Sequence, residues 1–151
     1  MSKPNQTLAL APYMAVKGAR AAIDFYVANF GAEEVFALVD PADGRIGHAE
    51  ILLGEVTMMI SDEYPDFGAI GPEALGGSPI KLHIYVDNAD SMFAAAIDAG
   101  CTEVRPMKDQ FFGDRSGMLV DPFGHTWTLA TKTAEVSPTE MQARWNAGME
   151  G

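Results

Sequence analysis

The stretch KLHIYVD at residues 81–87 places Lys81, His83 and Tyr85 at alternate positions, with Leu82, Ile84 and Val86 between them. On an extended chain, side chains two apart leave the same face. An amine, an imidazole and a phenol therefore stand together. An imidazole changes charge near neutral pH, which makes His83 a candidate acid/base. Tyr85 would then serve as acid or hydrogen-bond donor, and Lys81 or Arg115 as stabiliser of a developing oxyanion. A second alternating run, HAEILLG, carries His48 and Glu50 on one face and Ala49, Ile51 and Leu53 on the other. Should His48, Glu50 and His83 converge, two imidazoles and a carboxylate would make a recognisable metal set. The plainer alternative is that His48 and Glu50 bond each other to order a sheet, and that His83 pairs with a neighbour such as Tyr85.

The elements that must position these residues repeat. KLHIYVD leads through Asp87 and Asn88, either able to cap a helix, into ADSMFAAAIDAG. There Phe93, Ala96 and Ile97 recur at helical spacing, and Gly100 suits a left-handed helix end. APYMAVKGARAAIDFYVANFG follows the same plan, with Ile23, Tyr26, Val27 and Phe30 on one helix face and Gly31 at its end. Strands follow at about 33–39, 46–53 and 56–61 in the first copy, and at about 102–111, 115–121 and 125–131 in the second. Val16 and Val86 stand 70 residues apart, as do Gly54 and Gly124. The chain reads as a duplicated β-α-β-β-β unit.

Module one spans about 8–61 and module two about 79–131, joined by a Gly- and Pro-rich linker at 62–78 whose length suits a segment that also covers a pocket. SPTEMQARWNAG then predicts a short helix over about 137–148. Ser137 and Glu140 form a capping-box pattern, Pro138 takes the first helical position, and Trp145 is the docking residue, on this chain or on a partner.

With 151 residues, 48% of them hydrophobic and 21% charged, the chain is expected to be a single domain (1–151). One cysteine, Cys101, allows no internal disulfide and fits a reducing compartment. No apolar run approaches the roughly 18 residues of a membrane span, and Pro12 argues against a secretory signal in LALAPYMAV, so a cytoplasmic protein is expected. The net charge of −11 argues against nucleic acid and anionic membranes as partners; it would suit a cationic small molecule, although an acidic surface commonly serves solubility.

With DFY in the first helix, HAEILLG in module one, and GDRSGMLVDPFGHTW in module two, the sequence resembles the vicinal oxygen chelate superfamily over about residues 8–131. That group contains glyoxalase I, extradiol dioxygenases, fosfomycin-resistance enzymes and bleomycin-binding proteins. Its PhnB-like branch is the nearest match, with QFFGDR ahead of DPFGH. The resemblance implies an α+β fold in which the two modules form a cupped eight-stranded mixed sheet, with helices outside and a ligand inside, plus the short C-terminal helix. The apolar alternants Leu10, Met14 and Val16, or Leu82, Ile84 and Val86, would then face the helices. Tyr13, His48, Glu50, Lys81, His83 and Tyr85 would face the cup.

Relatives that bind metal place ligands on the opening and last strands of each module. Those positions fall on Ala11 or Pro12, on Met58 or Met59, on Lys81 and on Thr128. None supplies the usual His, Gln or Glu. No cofactor is therefore expected, and a divalent metal would need the displaced set His48, Glu50 and His83. Histidine 125 follows the DPFGH turn at a strand end, which favours a structural role. Asp114 and Arg115 read as an ion pair that pins a strand, or Arg115 as a contact for an anionic ligand group. Phe111 and Phe112 would give one ring to the core and one to the cup or a dimer surface.

Two readings result. In one, a small molecule, cationic or aromatic, is bound among Tyr13, His48, Glu50, Lys81, Phe112, Arg115 and Thr128, in a protein that forms a homodimer. In the other, His83 and Tyr85 are catalytic in a lyase or isomerase.

Overall fold

The computed structural model describes residues 5–148; residues 1–4 and 149–151 of the expected domain lie outside the described part. The chain divides into two compact units, one ending at Gly71 and the other starting at Pro72. Each is one β-α-β-β-β module. The eight strands form two four-stranded mixed sheets, one per module.

Module one runs β1 (Tyr13–Val16), α1 (Ala19–Phe30), β2 (Glu33–Val39), β3 (Ile46–Leu53) and β4 (Val56–Asp62). Its sheet order is β1-β4-β3-β2, with β1 parallel to β4 and the other pairs antiparallel. Helix α1 starts behind Gly18, whose positive φ of 91° suits glycine and which offers no capping side chain. Asp62, at the end of β4, takes over that task. Its Oδ1 accepts from the Gly18 and Ala19 amides at 3.0 and 2.8 Å, and its Oδ2 accepts from the Ile46 amide at 2.7 Å. One carboxylate thereby satisfies a helix start and ties it to two strands.

The buried face of α1, carrying Ala19, Ala22, Ile23, Tyr26 and Phe30, accompanies a buried sheet face of Met14, Val16, Ala49, Ile51, Met58 and Ile60. Period two on the strands and period 3.6 on the helix produce these two apolar surfaces, and their burial supplies the main driving force for the module. Two residues expected on this face are not on it. Leu10 precedes β1 and is exposed, and Val27 falls at the edge of the helix stripe, 41% exposed.

Module two begins with a single turn, α2 (Pro72–Leu75), followed by β5 (Lys81–Tyr85), α3 (Ala89–Asp98), β6 (Thr102–Asp109), β7 (Asp114–Val120), β8 (Thr126–Lys132) and α4 (Pro138–Asn146). The order β5-β8-β7-β6, with β5 parallel to β8, repeats the topology of module one. Asn88 caps α3 by accepting from the Ser91 amide at 3.1 Å. Thr131 Oγ1 accepts from the Ala89 amide and donates to the Val86 carbonyl, which joins the helix start to both parallel strands. At Gly117 a Cβ atom would stand 2.9 Å from the Phe93 ring and from Met107 Sδ. Glycine there lets α3 sit close on the sheet.

Helix α4 is capped as expected by Ser137, which accepts from the Glu140 amide at 3.2 Å. The Glu140 carboxylate does not return to the cap; it pairs with Arg144 one turn on, at 3.0 Å. Arg144 also donates to the Phe111 carbonyl, and the Trp145 ring meets the Phe111 ring edge-on at 5.8 Å. The helix thus docks on its own module.

Candidate functional site

Residues paired directly across neighbouring strands share a sheet face. In module two His83 is opposite Thr128, Thr128 opposite Met118, and Met118 opposite Arg105, a row crossing all four strands. The adjacent row runs Tyr85, Ala130, Ser116, Lys108. The opposite face carries buried Leu119, Trp127 and Leu129, under α3. The polar face of KLHIYVD is thus turned away from the helix, beside a cavity of about 620 Å³.

That cavity is walled by Phe111, Phe112, Met118 and Trp145, with His83, Thr128, Arg105 and Gln110 as polar groups. Apolar walls with a few convergent polar groups are the usual composition of a small-molecule site. Gln110 Oε1 is buried and has no hydrogen-bond partner among the described residues, while its amide nitrogen donates to the Ser116 carbonyl at 3.5 Å. The lining residues include no carboxylate.

Of the residues expected here, His83, Phe112 and Thr128 line the cavity, whereas Lys81, Tyr85 and Arg115 do not. Tyr85 packs its ring against His83 at 4.9 Å between centroids, and its hydroxyl donates to Asp114 Oδ2 at 2.8 Å. That bond, with burial and the Asp114 charge adding to it, holds the phenol above its ordinary pKa. Raising the pKa makes the phenol a poorer acid, which counts against the expected proton-donor role of Tyr85.

The expected Asp114–Arg115 pair does not form. Consecutive strand residues point to opposite faces, and Arg115 instead grips Asp90 on α3 with two hydrogen bonds, at 2.8 and 3.0 Å, and reaches Asp109 at 3.4 Å. Its position on the helix side removes it from the cavity wall. Phe111 and Phe112 do not divide between core and cavity either; both line the cavity, with their rings edge-to-face at 5.2 Å.

The residues that sequence reasoning missed are Arg105, Gln110 and Met118. Strand alternation in β7 signals Met118. Arg105 was hidden by the irregular pairing of β6 with β7, which shifts register around it and breaks simple alternation.

In module one the corresponding face carries Tyr13, Met59, Glu50 and Phe36 in one row and Leu38 beside His48 in the next. His48 is held from both sides. Tyr13 Oη lies 2.9 Å from its Nδ1, and Glu50 Oε2 lies 3.0 Å from its Nε2. The Tyr13 and Phe36 rings flank the imidazole at 5.3 and 5.8 Å between centroids. This face borders a cavity of about 940 Å³ lined by Tyr13, His48, Leu38, Asp40, Tyr64 and Phe67, among others.

Histidine 125 takes a structural place. Asp121 Oδ1 accepts from the Phe123 and His125 amides at 2.9 and 3.0 Å, and Asp121 Oδ2 accepts from the buried Trp127 indole at 2.8 Å. The first acid of DPFGH therefore builds the turn and anchors the largest buried side chain beneath it.

The sequence model of the Glyoxalase/Bleomycin resistance protein/Dioxygenase superfamily matches residues 6–129. The chain belongs to this superfamily. It is 38% identical over 150 residues to the uncharacterized protein Mb0911c of Mycobacterium bovis, covering 97% of this chain and 98% of that protein. Among solved structures, protein PA1353 of Pseudomonas aeruginosa is similar with a TM-score of 0.67 and 25% identity, over 85% of this chain and 100% of that one. A PhnB protein from Bacillus cereus shares the fold at a TM-score of 0.65 and 20% identity, over 81% of this chain and 98% of that one.

Superfamily membership raises the question of a metal. In this structure Met58 is buried on the helix side, Met59 lies between Tyr13 and Glu50 with only a thioether, Lys81 presents an ammonium, and Thr128 stands beside His83 with a hydroxyl. These groups do not compose a divalent-cation site. In module one both ring nitrogens of His48 already have partners. Among the described residues no group of three or more His, Cys, Asp or Glu side chains could hold a metal ion.

Proposed function

We propose that this superfamily member binds a flat, anionic small molecule in the module-two cavity, without the superfamily's usual metal. The observation that carries the reading is Arg105. Arg105 lines the cavity, and its guanidinium has no ion-pair partner among the described residues, in a chain of net charge −11. Acidic side chains outnumber basic ones 21 to 10, so an arginine left without a carboxylate beside an apolar cavity is placed for a ligand's negative charge. Aromatic rings of Phe111, Phe112 and Trp145 would cover a planar body, and His83 and Thr128 would bond its oxygens. The overall acidity suggests a cationic ligand, but Arg105 and His83 are exposed on this wall, and the nearest charge decides what it accepts, because solvent-exposed charges beyond about 8–10 Å are screened in salt. Association into a homodimer belongs to the same proposal: β2 is an edge strand of its sheet, and its exposed Val35 is apolar surface that a second copy could cover.

Calorimetric titration with 2-naphthoate and with 2-naphthylmethylamine tests this. Naphthoate should bind, the amine should bind more weakly, and Arg105→Ala should weaken naphthoate by about tenfold or more, the worth of one charge-assisted hydrogen bond. Equal affinity for both probes, or an Arg105→Ala variant that binds naphthoate unchanged, would refute the reading.

A second reading is favoured by His83, whose ring faces this cavity and makes no hydrogen bond among the described residues. An unengaged imidazole is available to take a proton from a bound substrate, which would make the protein a lyase or isomerase. Turnover lost in His83→Ala while naphthoate binding persists would support that alternative.

A further inference from the structure

Module one carries its own cavity, lined by Tyr13 and His48, and Glu50, which lies outside that lining, is bonded to His48 and sets what Tyr13 can offer a ligand. Glu50 presents a carboxylate oxygen 3.0 Å from His48 Nε2. A carboxylate only accepts, so Nε2 carries the hydrogen. In the neutral ring Nδ1 is then a bare lone pair, and it can only accept from Tyr13 Oη at 2.9 Å. With the ring neutral, the phenol's one hydrogen is committed to the imidazole, whereas a protonated ring would donate from both nitrogens and free it. Beside the neutral ring, Tyr13 offers the cavity an oxygen lone pair.

The remaining wall agrees. Its lining includes Asp40 and no Lys or Arg among the described residues, with Leu38, Val39, Phe67 and Ile70 as apolar surface. Arg45, the nearby cation, is engaged elsewhere: it pairs with Asp43, donates to the Glu63 carbonyl and lies 3.9 Å over the Tyr64 ring. Tyr64 in turn donates to Asp40 at 3.2 Å. Acceptors and apolar side chains dominate, and no Lys or Arg among the described lining residues attracts an anion.

We propose that the module-one cavity is a second binding site, selective for an apolar ligand bearing a hydroxyl or ammonium donor, which Tyr13 Oη accepts while His48 and Glu50 hold that oxygen as an acceptor. Tyr13 touches the ligand. His48 and Glu50 are positioning residues that act through it. The preference of this site is opposite to that of module two, where an unpaired guanidinium favours an acceptor-bearing anion.

The test uses four probes of one shape: benzyl alcohol, benzylamine, benzyl methyl ether and benzoate. Binding is followed by amide NMR, with Gly47 and Ser61 reporting module one and Gly117 and Thr128 reporting module two. Benzyl alcohol and benzylamine should shift the module-one signals, and the ether, which lacks a donor, should bind there about tenfold more weakly. Tyr13→Phe should erase the difference between alcohol and ether. Imidazole ¹⁵N shifts should show His48 protonated at Nε2 and bare at Nδ1 in the unmodified protein. Ether and alcohol binding equally, benzoate binding module one as tightly as benzylamine, no probe shifting these signals, or the opposite His48 tautomer would each overturn the proposal.

Discussion

The Tyr85 hydroxyl donates a 2.8 Å hydrogen bond to Asp114, whose side chain is 3% exposed. A buried carboxylate without donors is costly, so the phenol serves the interior of module two although its ring is largely exposed. Tyr85→Phe should therefore destabilise the protein by about 1–3 kcal/mol in urea unfolding, the typical cost of an orphaned buried acceptor. The pH dependence has a defined sign. Because the folded phenol is held above its ordinary value of 10.0, chiefly by the Asp114 bond, its contribution is full below that value and is lost as the pH rises through the folded pKa. Ultraviolet titration should show a late-ionising tyrosine that disappears in Tyr85→Phe; a phenol ionising at its ordinary value would contradict the bond.

Arg115 holds the Asp90 carboxylate below its ordinary pKa, first through their hydrogen bonds and also through charge. Lowering of this kind stabilises the fold above the unfolded value of 3.8 and is lost as acid carries the pH down through the folded value. In Arg115→Gln, NMR titration of Asp90 should return to the ordinary carboxylate range. Naphthoate binding in the module-two cavity should not change, since Arg115 lies on the helix side. A fall in affinity would instead restore Arg115 as a ligand contact.

Asp121 accepts from two turn amides and from the Trp127 indole. Asp121→Ala strands all three donors and should cost about 3 kcal/mol or more. Asp121→Asn keeps an acceptor for the amides but not a second one for the indole, so its urea midpoint should fall between those of the parent and the alanine variant. Identical midpoints for the two variants would show that the indole bond contributes little.

Burial, with a smaller effect from the Asp121 charge, pushes the Cys101 thiol up to about 12. Only the thiolate is reactive, so the cysteine should resist maleimide near neutral pH in the folded protein and react once urea unfolds it. Labelling at equal rates with and without urea would show that the site opens readily.

Much of this was legible in the sequence. Alternation in KLHIYVD and HAEILLG set the strands and their faces, the 70-residue repeat disclosed two modules, and Ser137 with Pro138 marked the start of the last helix. These signals are local: periodicity and capping act within a few residues, where chain order and spatial neighbourhood coincide.

The site was less legible because its partners are remote in sequence. Asp62 reaches back 44 residues to cap α1 at Gly18, and Arg115 crosses 25 residues to Asp90 rather than pairing with adjacent Asp114. Arg105 reaches the cavity through an irregular strand that alternation cannot register. By itself the sequence determined the duplicated architecture and which faces are polar. Tertiary structure decided which polar groups are used up and which are left for a ligand, because a donor or acceptor is free only after distant strands have brought, or failed to bring, its partner.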